Sequence, residues 1–246
     1  MTAVPREDPR RRLIEAGLRL LDRGGPEALN ARRLAAEVGA STQVVYTHFG
    51  GMGGFYEALI TEAFVRFGER LAAVPRTDDA VADILSLGLA YREFALTNPQ
   101  RYRFMFRITA PGAAGPVIGR DLTTEGMPSG VAEVNATFVQ LIEAVRRAAE
   151  SGRIRADDTV SVAGQFWSMV HGYVLLEMSG VFGNDGHGVV HVLAPHALNL
   201  LVGLGDRYED AERSVFAVAP DPLIPPGVTI PMTETPRPRR GRRPRP

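Results

Sequence analysis

Residues 41–48 carry side chains whose chemistry suits recognition of nucleic-acid bases. The stretch reads S-T-Q-V-V-Y-T-H. The amide of Gln43 can form two hydrogen bonds with adenine, and the methyl group of Thr47 can contact that of thymine. Val45 and Phe49 are four residues apart, a spacing that places both side chains on one face of a helix. The pattern therefore predicts a short helix that packs through an apolar face and presents polar groups to a ligand.

The residues before this helix predict how it is held. Asn30 is a favourable N-cap for a helix over 31–38, because its side-chain oxygen can accept a hydrogen bond from a free backbone N–H. Gly39 follows as a residue that can adopt a positive φ and reverse the chain. Ser41 is the predicted cap of the next helix, which spans 42–48. This pattern is typical of a helix-turn-helix, whose second helix lies in the major groove of DNA.

The end of the second helix narrows the prediction to a family. The run V-V-Y-T-H-F at 44–49, followed by another helix, resembles the tetracycline-repressor-type (TetR) regulators, in which a Y-x-H-F run closes the recognition helix. The resemblance implies that DNA contacts come from the start of the preceding helix and from the recognition helix. The implied DNA-binding residues are Arg32, Arg33, Ser41, Thr42, Gln43, Val44, Tyr46, Thr47 and His48.

These implied contacts differ in what they recognise. Arg32 is at a position where the family often reads a base, and a planar guanidinium suits guanine. Arg33 is the alternative on the phosphate side. Tyr46 and His48 resemble the family's phosphate contacts, which orient the protein without reading sequence; the alternative is that both only pack. The candidates for contact with base edges are Thr42, Gln43, Val44 and Thr47.

Composition excludes several classes of protein. The 246 residues include no cysteine, so neither disulfides nor thiolate zinc sites are expected. The chain has no apolar run of about 18 residues, and its charged N-terminus lacks the apolar segment of a secretory signal. We therefore expect a cytoplasmic protein that does not enter a membrane. All 28 basic residues are arginine, so any side-chain cation on DNA phosphates must be an arginine.

The formal net charge is zero, but the arginines are unevenly distributed. The segment 236–246 reads P-R-P-R-R-G-R-R-P-R-P and resembles an AT-hook, whose Arg-Gly-Arg-Pro core is interrupted here by an extra arginine. We predict that it either enters the minor groove at A·T-rich flanks or acts only as a solubilising tail. The same two alternatives, DNA contact or solvated charge, apply to Arg6, Arg10, Arg11 and Arg12.

The whole chain predicts an all-α protein. We expect a three-helix DNA-binding domain at 1–56 with a flexible arm at 1–9, a larger helical effector-binding and dimerisation domain at 57–205, and a Pro/Arg-rich disordered tail at 206–246, after a short helical extension to about 218. Thr77 or Asp78 is the predicted cap of one helix, and Pro195 should open the first turns of another. A long loop is predicted at 107–129, and further helices at 52–74, 78–96, 100–106, 130–151, 157–181 and 189–204.

A second group of residues concentrates large side chains with polar tips. W-x-x-x-H-G at 167–172 and N-P-x-x-Y-x-x-M-F at 98–106 resemble one subtype of TetR ligand-binding domain. The resemblance implies a small, largely apolar effector bound between the helices and oriented by a His or Tyr side chain. For each residue alone, core packing is the alternative. The implied effector-binding residues are Tyr91, Phe94, Tyr102, Met105, Phe106, Trp167 and His171.

The helices predicted at 157–181 and 189–204 are apolar on most sides, so we expect a partner subunit to cover them in a homodimer. His187, His191 and His196 are close in sequence but poorly spaced for a metal ion, and no nearby Cys or carboxylate completes a set. Neither a metal nor a cofactor is expected. His191 and His196 are predicted to lie at the subunit interface instead.

Together these features predict a homodimeric repressor that binds a pseudo-palindromic operator in double-stranded DNA and is released by a small effector. Two alternatives remain. The Arg-rich tail alone would favour an architectural helix-turn-helix protein without an effector. An all-helical enzyme is the other alternative, but the sequence contains no G-x-S-x-G, H-E-x-x-H or phosphate-binding loop, so no catalytic residue is expected.

Met52 departs from the family pattern and provides a test of the DNA contacts. Related regulators usually carry a phosphate-contacting Lys at this position, whereas Met52 lies here between two pairs of glycines. Introducing the Met52→Lys substitution should steepen the salt dependence of DNA affinity by about one charge per subunit, and Met52→Leu should leave it unchanged. Affinities measured across a range of salt concentrations check this. Equal slopes for Met52→Lys and the native protein contradict the prediction.

Overall fold

The regular secondary structure of the chain is helical. A computed structural model describes residues 8–106 and 118–230. Within those ranges it contains eleven α-helices, one 3-10 turn, one π-helical turn and no strand, which confirms the predicted all-α class. The helices are α1 (Pro9–Gly24), α2 (Ala31–Val38), α3 (Gln43–Phe49), α4 (Met52–Ala72), α5 (Ala80–Thr97), α6 (Pro99–Met105), α7 (Leu122–Glu125), α8 (Ala132–Glu150), α9 (Thr159–Met178), α10 (Ala194–Gly203) and α11 (Tyr208–Ala217).

The first two helices are bounded by local signals. The side chain of Asn30 accepts a hydrogen bond from the backbone N–H of Arg33 at 3.0 Å and caps α2, as predicted. Gly39 ends α2 with a φ of 67°, which confirms the predicted reversal. Asp8 caps α1 by accepting from a backbone N–H of the first turn at 3.0 Å. Helix α1 therefore begins at Pro9, inside the predicted arm.

The recognition helix α3 begins later than predicted. Its first residue is Gln43, Thr42 is the N-cap residue, and no side chain caps it. Ser41 contributes its backbone carbonyl oxygen, which accepts from the N–H of Val44 at 3.1 Å. The prediction of Ser41 as a side-chain cap is wrong because the turn uses its backbone instead. Val45 is fully buried, so this seven-residue helix depends on packing rather than on its own propensity.

Glycines allow α3 and α4 to meet closely. Gly50 and Gly51 have φ values of 71° and 130°, a region that favours glycine. A Cβ on Gly54 would lie 2.1 Å from the carbonyl oxygen of Phe49, whereas a Cβ on Gly53 would meet nothing within 4 Å. The backbone approach at the end of the recognition helix therefore requires glycine at position 54.

Helix α4 joins the DNA-binding part of the chain to the rest. At its start, Phe55 packs so closely on α1 that a Cβ on Gly17 would lie 2.5 Å from Phe55 Cζ. Further along, the Phe67 ring meets the Tyr91 ring of α5 with centroids 5.0 Å apart. One apolar core contains all of these aromatic side chains. The domain boundary proposed at residues 56–57 thus falls inside a continuous helix.

The start of α5 differs from the prediction. Asp79 is the cap, and its side chain accepts from two backbone N–H groups of the first turn at 3.0 and 3.1 Å. Thr77 instead donates its hydroxyl to Asp83 at 2.7 Å. The prediction of Thr77 or Asp78 as the cap is wrong because three candidate cap residues follow one another, and long-range contacts decide which one is used.

Two connections also differ in detail. The loop predicted at 107–129 contains the one-turn helix α7, and residues 107–117 lie outside the described ranges. The helix predicted from 189 begins with a π-helical turn, in which the backbone N–H of Ala194 donates to the carbonyl of Val189. Pro195 has no N–H with which to continue a regular ladder, so the predicted opening near Pro195 is confirmed.

Residues 206–230 are folded. Helix α11 agrees with the helical extension predicted to about 218, and the disorder predicted beyond it is wrong for residues 219–230. The guanidinium of Arg153 donates to both carboxylate oxygens of Asp206 at 2.8 Å. Ile230 is only 4% exposed. Apolar residues between the prolines provide this packing, which average composition does not reveal. The prediction for the Arg-rich segment stays a prediction, since residues 231–246 lie outside the described ranges.

The α3–α4 junction generates a stability prediction. Gly54→Ala should lower the free energy of unfolding by roughly 1–3 kcal/mol, because the new Cβ would overlap the carbonyl oxygen of Phe49. Gly53→Ala is the matched control: it adds the same atom in the same helical turn without a clash, and should be neutral or stabilising by up to about 1 kcal/mol. Urea unfolding followed by circular dichroism measures both. Equal stabilities of the two variants contradict the prediction.

Candidate DNA interface and effector cavity

Most of the predicted DNA contacts are exposed on α2 and α3. Tyr46 is 56% exposed, which is a large fraction for an aromatic side chain and is typical of a surface that meets a partner. The glycines at the α3–α4 junction lie beside it, and a Cβ on Gly51 would be 3.7 Å from the Tyr46 ring. The exposed members of the predicted set are Arg32, Arg33, Ser41, Thr42, Gln43, Tyr46 and Thr47.

Three members of the set are more constrained than the sequence suggested. Val44 is half-buried and packs against the core, so only part of its surface is available to a base. His48 is half-buried as well. The Thr47 hydroxyl donates to the carbonyl oxygen of Gln43 at 3.0 Å, which leaves its methyl group and an oxygen lone pair for other contacts.

Arginines of α1 lie next to both helices of the motif. Arg12 donates to the carbonyl oxygen of Val38, at the end of α2, at 3.1 Å. The guanidinium carbon of Arg10 lies 5.2 Å from the centre of the Phe49 ring, at the end of α3. Positive charge is therefore held close to the exposed polar surface. Arg6 lies outside the described ranges.

A cavity of about 550 Å³ lies among the helices that follow the DNA-binding part. Its wall is mostly apolar and includes side chains from α4, α5, α8, α9, α10 and α11. The members of the predicted effector-binding set that line it are Tyr91, Phe106 and Trp167. The members that do not line it are Phe94, Tyr102 and Met105, which form a buried layer, and the half-buried His171.

A hydrogen-bonded group connects the cavity wall to that buried layer. The hydroxyl oxygens of Tyr91 and Tyr102 lie 2.7 and 2.8 Å from Nδ1 of His171, and 3.0 Å from each other. Trp167 donates its indole N–H to the Tyr91 hydroxyl at 3.4 Å. When Nδ1 of His171 acts as the acceptor, only the hydroxyl hydrogens of Tyr91 and Tyr102 are available for the three contacts among these side chains. One of the three contacts therefore always lacks a hydrogen.

Burial keeps this group uncharged. It lowers the pKa of His171, so the imidazole is neutral at pH 7. It also raises the pKa values of Tyr91 and Tyr102. The wall itself carries little charge: among the described residues that line the cavity, Glu212 is the one charged side chain. The described part of the wall favours an uncharged ligand and provides no cation for an anionic one.

Sequence reasoning missed two features of this region. The aromatic side chains Phe64 and Phe67 of α4 line the cavity, although their helical spacing indicated only packing. Arg92 and Glu177 form a buried ion pair between α5 and α9, with two N···O distances of 2.8 and 2.7 Å and side chains 3% and 2% exposed. The sequence signal for this ion pair was a single charged residue on an otherwise apolar face of each helix.

The histidines after α9 lie at the surface. Nδ1 of His187 is 3.1 Å from Asp185 Oδ2. The rings of His187 and His191 are 6.0 Å apart. His191 and His196 are exposed. Across the described ranges, no group of three or more His, Cys, Asp or Glu side chains is arranged to hold a metal ion.

Comparisons with known proteins agree with this geometry. Residues 13–59 match the family described as bacterial regulatory proteins of the tetR family, and residues 84–194 match the tetracyclin repressor-like C-terminal domain. The transcriptional regulator Rv0681 of Mycobacterium tuberculosis is 28% identical over 208 residues, which cover 83% of this chain and 85% of that protein. Rv1816 of the same organism is 23% identical over 202 residues, 73% of this chain and 85% of that protein.

Solved structures show the same fold. A protein of unknown function from Rhodococcus sp. RHA1 superposes with a TM-score of 0.66 at 25% identity, covering 84% of this chain and all of that one (100%). RolR without ligand superposes with a TM-score of 0.58 at 14% identity, covering 84% of this chain and 96% of its own.

An exposed helix-turn-helix joined to a helical ligand-binding domain defines a DNA-binding transcriptional regulator. The two family matches together cover more than half of the sequence, and the chain belongs to the TetR family of bacterial regulators. Membership in this family implies DNA binding, dimerisation and binding of an effector. None of the helices in the described part of the chain is long and apolar enough to cross a membrane.

The lowered pKa of His171 predicts a pH dependence of stability. Above the unfolded-state pKa of about 6.5, His171 is neutral in both states and its contribution is complete. As the pH falls below that value, the unfolded chain takes up a proton that the folded chain excludes, so the stability falls until the folded-state pKa is passed. Urea unfolding measured between pH 7.5 and pH 5.5 spans the unfolded-state pKa of about 6.5. Over this range the free energy of unfolding should fall less for His171→Gln than for the native protein. The control is His196→Gln, at an exposed histidine. The same pH dependence in native protein and His171→Gln contradicts the prediction.

Proposed function

We propose that the protein is a repressor that releases its operator when a neutral, largely apolar molecule occupies the cavity. The observation that carries the proposal is that the exposed recognition surface and the cavity share one apolar core through α4. The cavity favours this function over that of an architectural protein, which needs no space for a ligand. A transcriptional regulator with these features is expected to act in the cytoplasm.

We propose that sequence is read mainly by Gln43 and Thr47, on the exposed side of α3. Gln43 would pair with adenine, and the Thr47 methyl would contact thymine. Arg32 would read guanine from the start of α2. The phosphate contacts would come from Arg33, Tyr46 and His48, with Ser41, Thr42 and the exposed part of Val44 completing the surface.

The proposed dimer forms through α9 and α10. The outer faces of these helices and of the turns around them carry apolar side chains that the chain leaves uncovered, and the exposed His191 and His196 lie within the same stretch. Two chains related by a two-fold axis would cover this surface and present two α3 helices to successive major grooves of a pseudo-palindromic site. The exposed fractions that support the proposal are 48% for Leu176, 50% for Val190, 37% for Val192 and 39% for Val202.

The proposed effector is uncharged and carries a hydrogen-bonding group. Tyr91 and Trp167 line the cavity, and each carries a group that can form hydrogen bonds. A ligand oxygen that accepts from the Tyr91 hydroxyl would relieve the competition of two hydroxyls for one histidine nitrogen. RolR has also been solved in complex with resorcinol, with a TM-score of 0.55 at 17% identity. This comparison shows a shared fold alone. The proposal for this chain is therefore based on the residues of its own cavity wall.

Helix α6 offers a route from the cavity to the DNA-binding helices. Tyr102, on α6, shares His171 with Tyr91 of the cavity wall. On the same helix, Arg101 forms two hydrogen bonds with Asp22 of α1, at 2.8 and 2.5 Å. A ligand that changes the hydrogen bonding of Tyr91 therefore acts on a helix fixed to α1, and DNA and effector would oppose each other by linkage.

The DNA-reading proposal is tested on fragments of the source genome selected by binding to the full-length protein. Gln43→Ala and Thr47→Ala should each lose about 1–3 kcal/mol of discrimination between the selected site and its base-substituted versions. Their binding to unrelated DNA should change little, since the phosphate contacts remain. Thr124→Ala, at an exposed threonine of α7, is the matched control. Unchanged discrimination in both α3 variants would overturn the proposed assignment.

A further inference from the structure

We propose that the C-terminal strap, defined as residues 218–230, is the lid of the cavity, and that Leu223 is the side chain that controls entry. The inference rests on the proposed effector cavity and extends it by assigning the element that admits or excludes a ligand. Four residues of the strap form part of the cavity wall: Val218, Ala219, Pro220 and Leu223.

Leu223 packs so closely against the backbone of Gly186 that only glycine fits at position 186. Gly186 has a φ of 79°, and a Cβ placed on it would lie 2.4 Å from the Cβ of Leu223. The turn that contains Gly186 leads directly into Val189 and Val190, which line the same cavity. Leu223 therefore bridges two parts of the wall, the strap and the turn before the π-helical segment.

The strap is fixed at both ends. Before it, α11 is held by the Arg153–Asp206 pair and by the Ser214 hydroxyl, which donates to Asp79 at 2.6 Å. Ser214 is 1% exposed. At the far end, Ile230 is buried in the main core. An element held at two ends can lift in the middle without detaching.

The middle of the strap is held weakly by its own backbone. Positions 220, 222, 225 and 226 are prolines, which have no N–H to donate. Between residues 220 and 230, the one backbone hydrogen bond seen among the described residues joins the N–H of Val228 to the carbonyl of Pro225, at 3.2 Å. Asp221 and Pro222 are exposed. Side-chain packing, including that of Leu223, keeps the strap closed, and opening it breaks few hydrogen bonds.

The lid lies outside the range of the chain that matches the family's C-terminal domain. The match to that domain ends at residue 194, the first residue of α10, and does not reach α11 or the strap. Part of the cavity wall therefore comes from sequence outside the matched domain. The identity of residue 223 would accordingly influence which molecules reach the cavity.

The test uses the full-length protein and the neutral, apolar fluorophore N-phenyl-1-naphthylamine. Trp167 lines the cavity and is the single tryptophan of the chain, so energy transfer from it reports binding at this site. In stopped-flow mixing, Leu223→Ala should raise the association and dissociation rate constants together, on the order of tenfold. The equilibrium dissociation constant should change much less, because a lid slows both the entry and the exit of the ligand.

Two further variants make the test specific. Thr229→Ala shortens an exposed side chain of the strap that does not line the cavity, and should keep native rates. Gly186→Ala displaces Leu223 without altering it, and should reproduce the fast exchange of Leu223→Ala. It also serves as the test should Leu223→Ala fail to fold, as judged by circular dichroism.

The outcomes separate the lid from the proposed function. Native rates in Leu223→Ala and Gly186→Ala overturn the lid while leaving the effector cavity intact. A rise in the dissociation rate alone also overturns it, since that result describes a wall contact rather than a barrier to entry. Absence of energy transfer from Trp167 in the native protein refutes the proposed cavity function, and the lid with it.

Discussion

The structure depends on one apolar core that continues from the helix-turn-helix to the cavity. Val45 of the recognition helix and Phe67 of the cavity wall belong to the same cluster of buried side chains, and α4 passes through both regions. Close-packed interiors transmit displacement because they cannot deform continuously. On the proposed function, a change in the volume of the cavity would therefore act on the helices that hold α3, without a separate linker between two domains.

Buried polar groups determine how the helices around the cavity fit together. Arg92 and Glu177 pair between α5 and α9, and Tyr173 adds its hydroxyl to Glu177 at 3.2 Å. Leaving either charge unpaired in the interior would cost several kcal/mol, so α5 and α9 are restricted to the register that pairs them. The hydroxyls of Tyr91 and Tyr102 belong to the same interior but share one acceptor, which makes that part easier to rearrange.

The sequence predicted features that depend on local signals. Asn30 and Gly39 bound α2 as expected, since caps and left-handed turns are decided within a few residues. The sequence did not predict features that depend on contacts between distant parts of the chain. The cap of α5 depends on contacts that engage Thr77 elsewhere. The set of residues lining the cavity, and the folding of residues 206–230 against the body, depend on side chains brought together from distant helices, which periodicity in one segment cannot reveal.

The most direct test of the shared core fills the cavity from within and measures DNA binding. Gly88 lines the cavity, and the nearest atom to a Cβ placed there is a methyl carbon of Val170 at 4.0 Å, so a larger side chain can extend into the space. Gly88→Leu should act as a tethered ligand and weaken binding to the selected operator by roughly 5–150-fold. Gly88→Ala, which adds one carbon, should bind like the native protein. Native operator affinity in a folded Gly88→Leu protein would contradict the account.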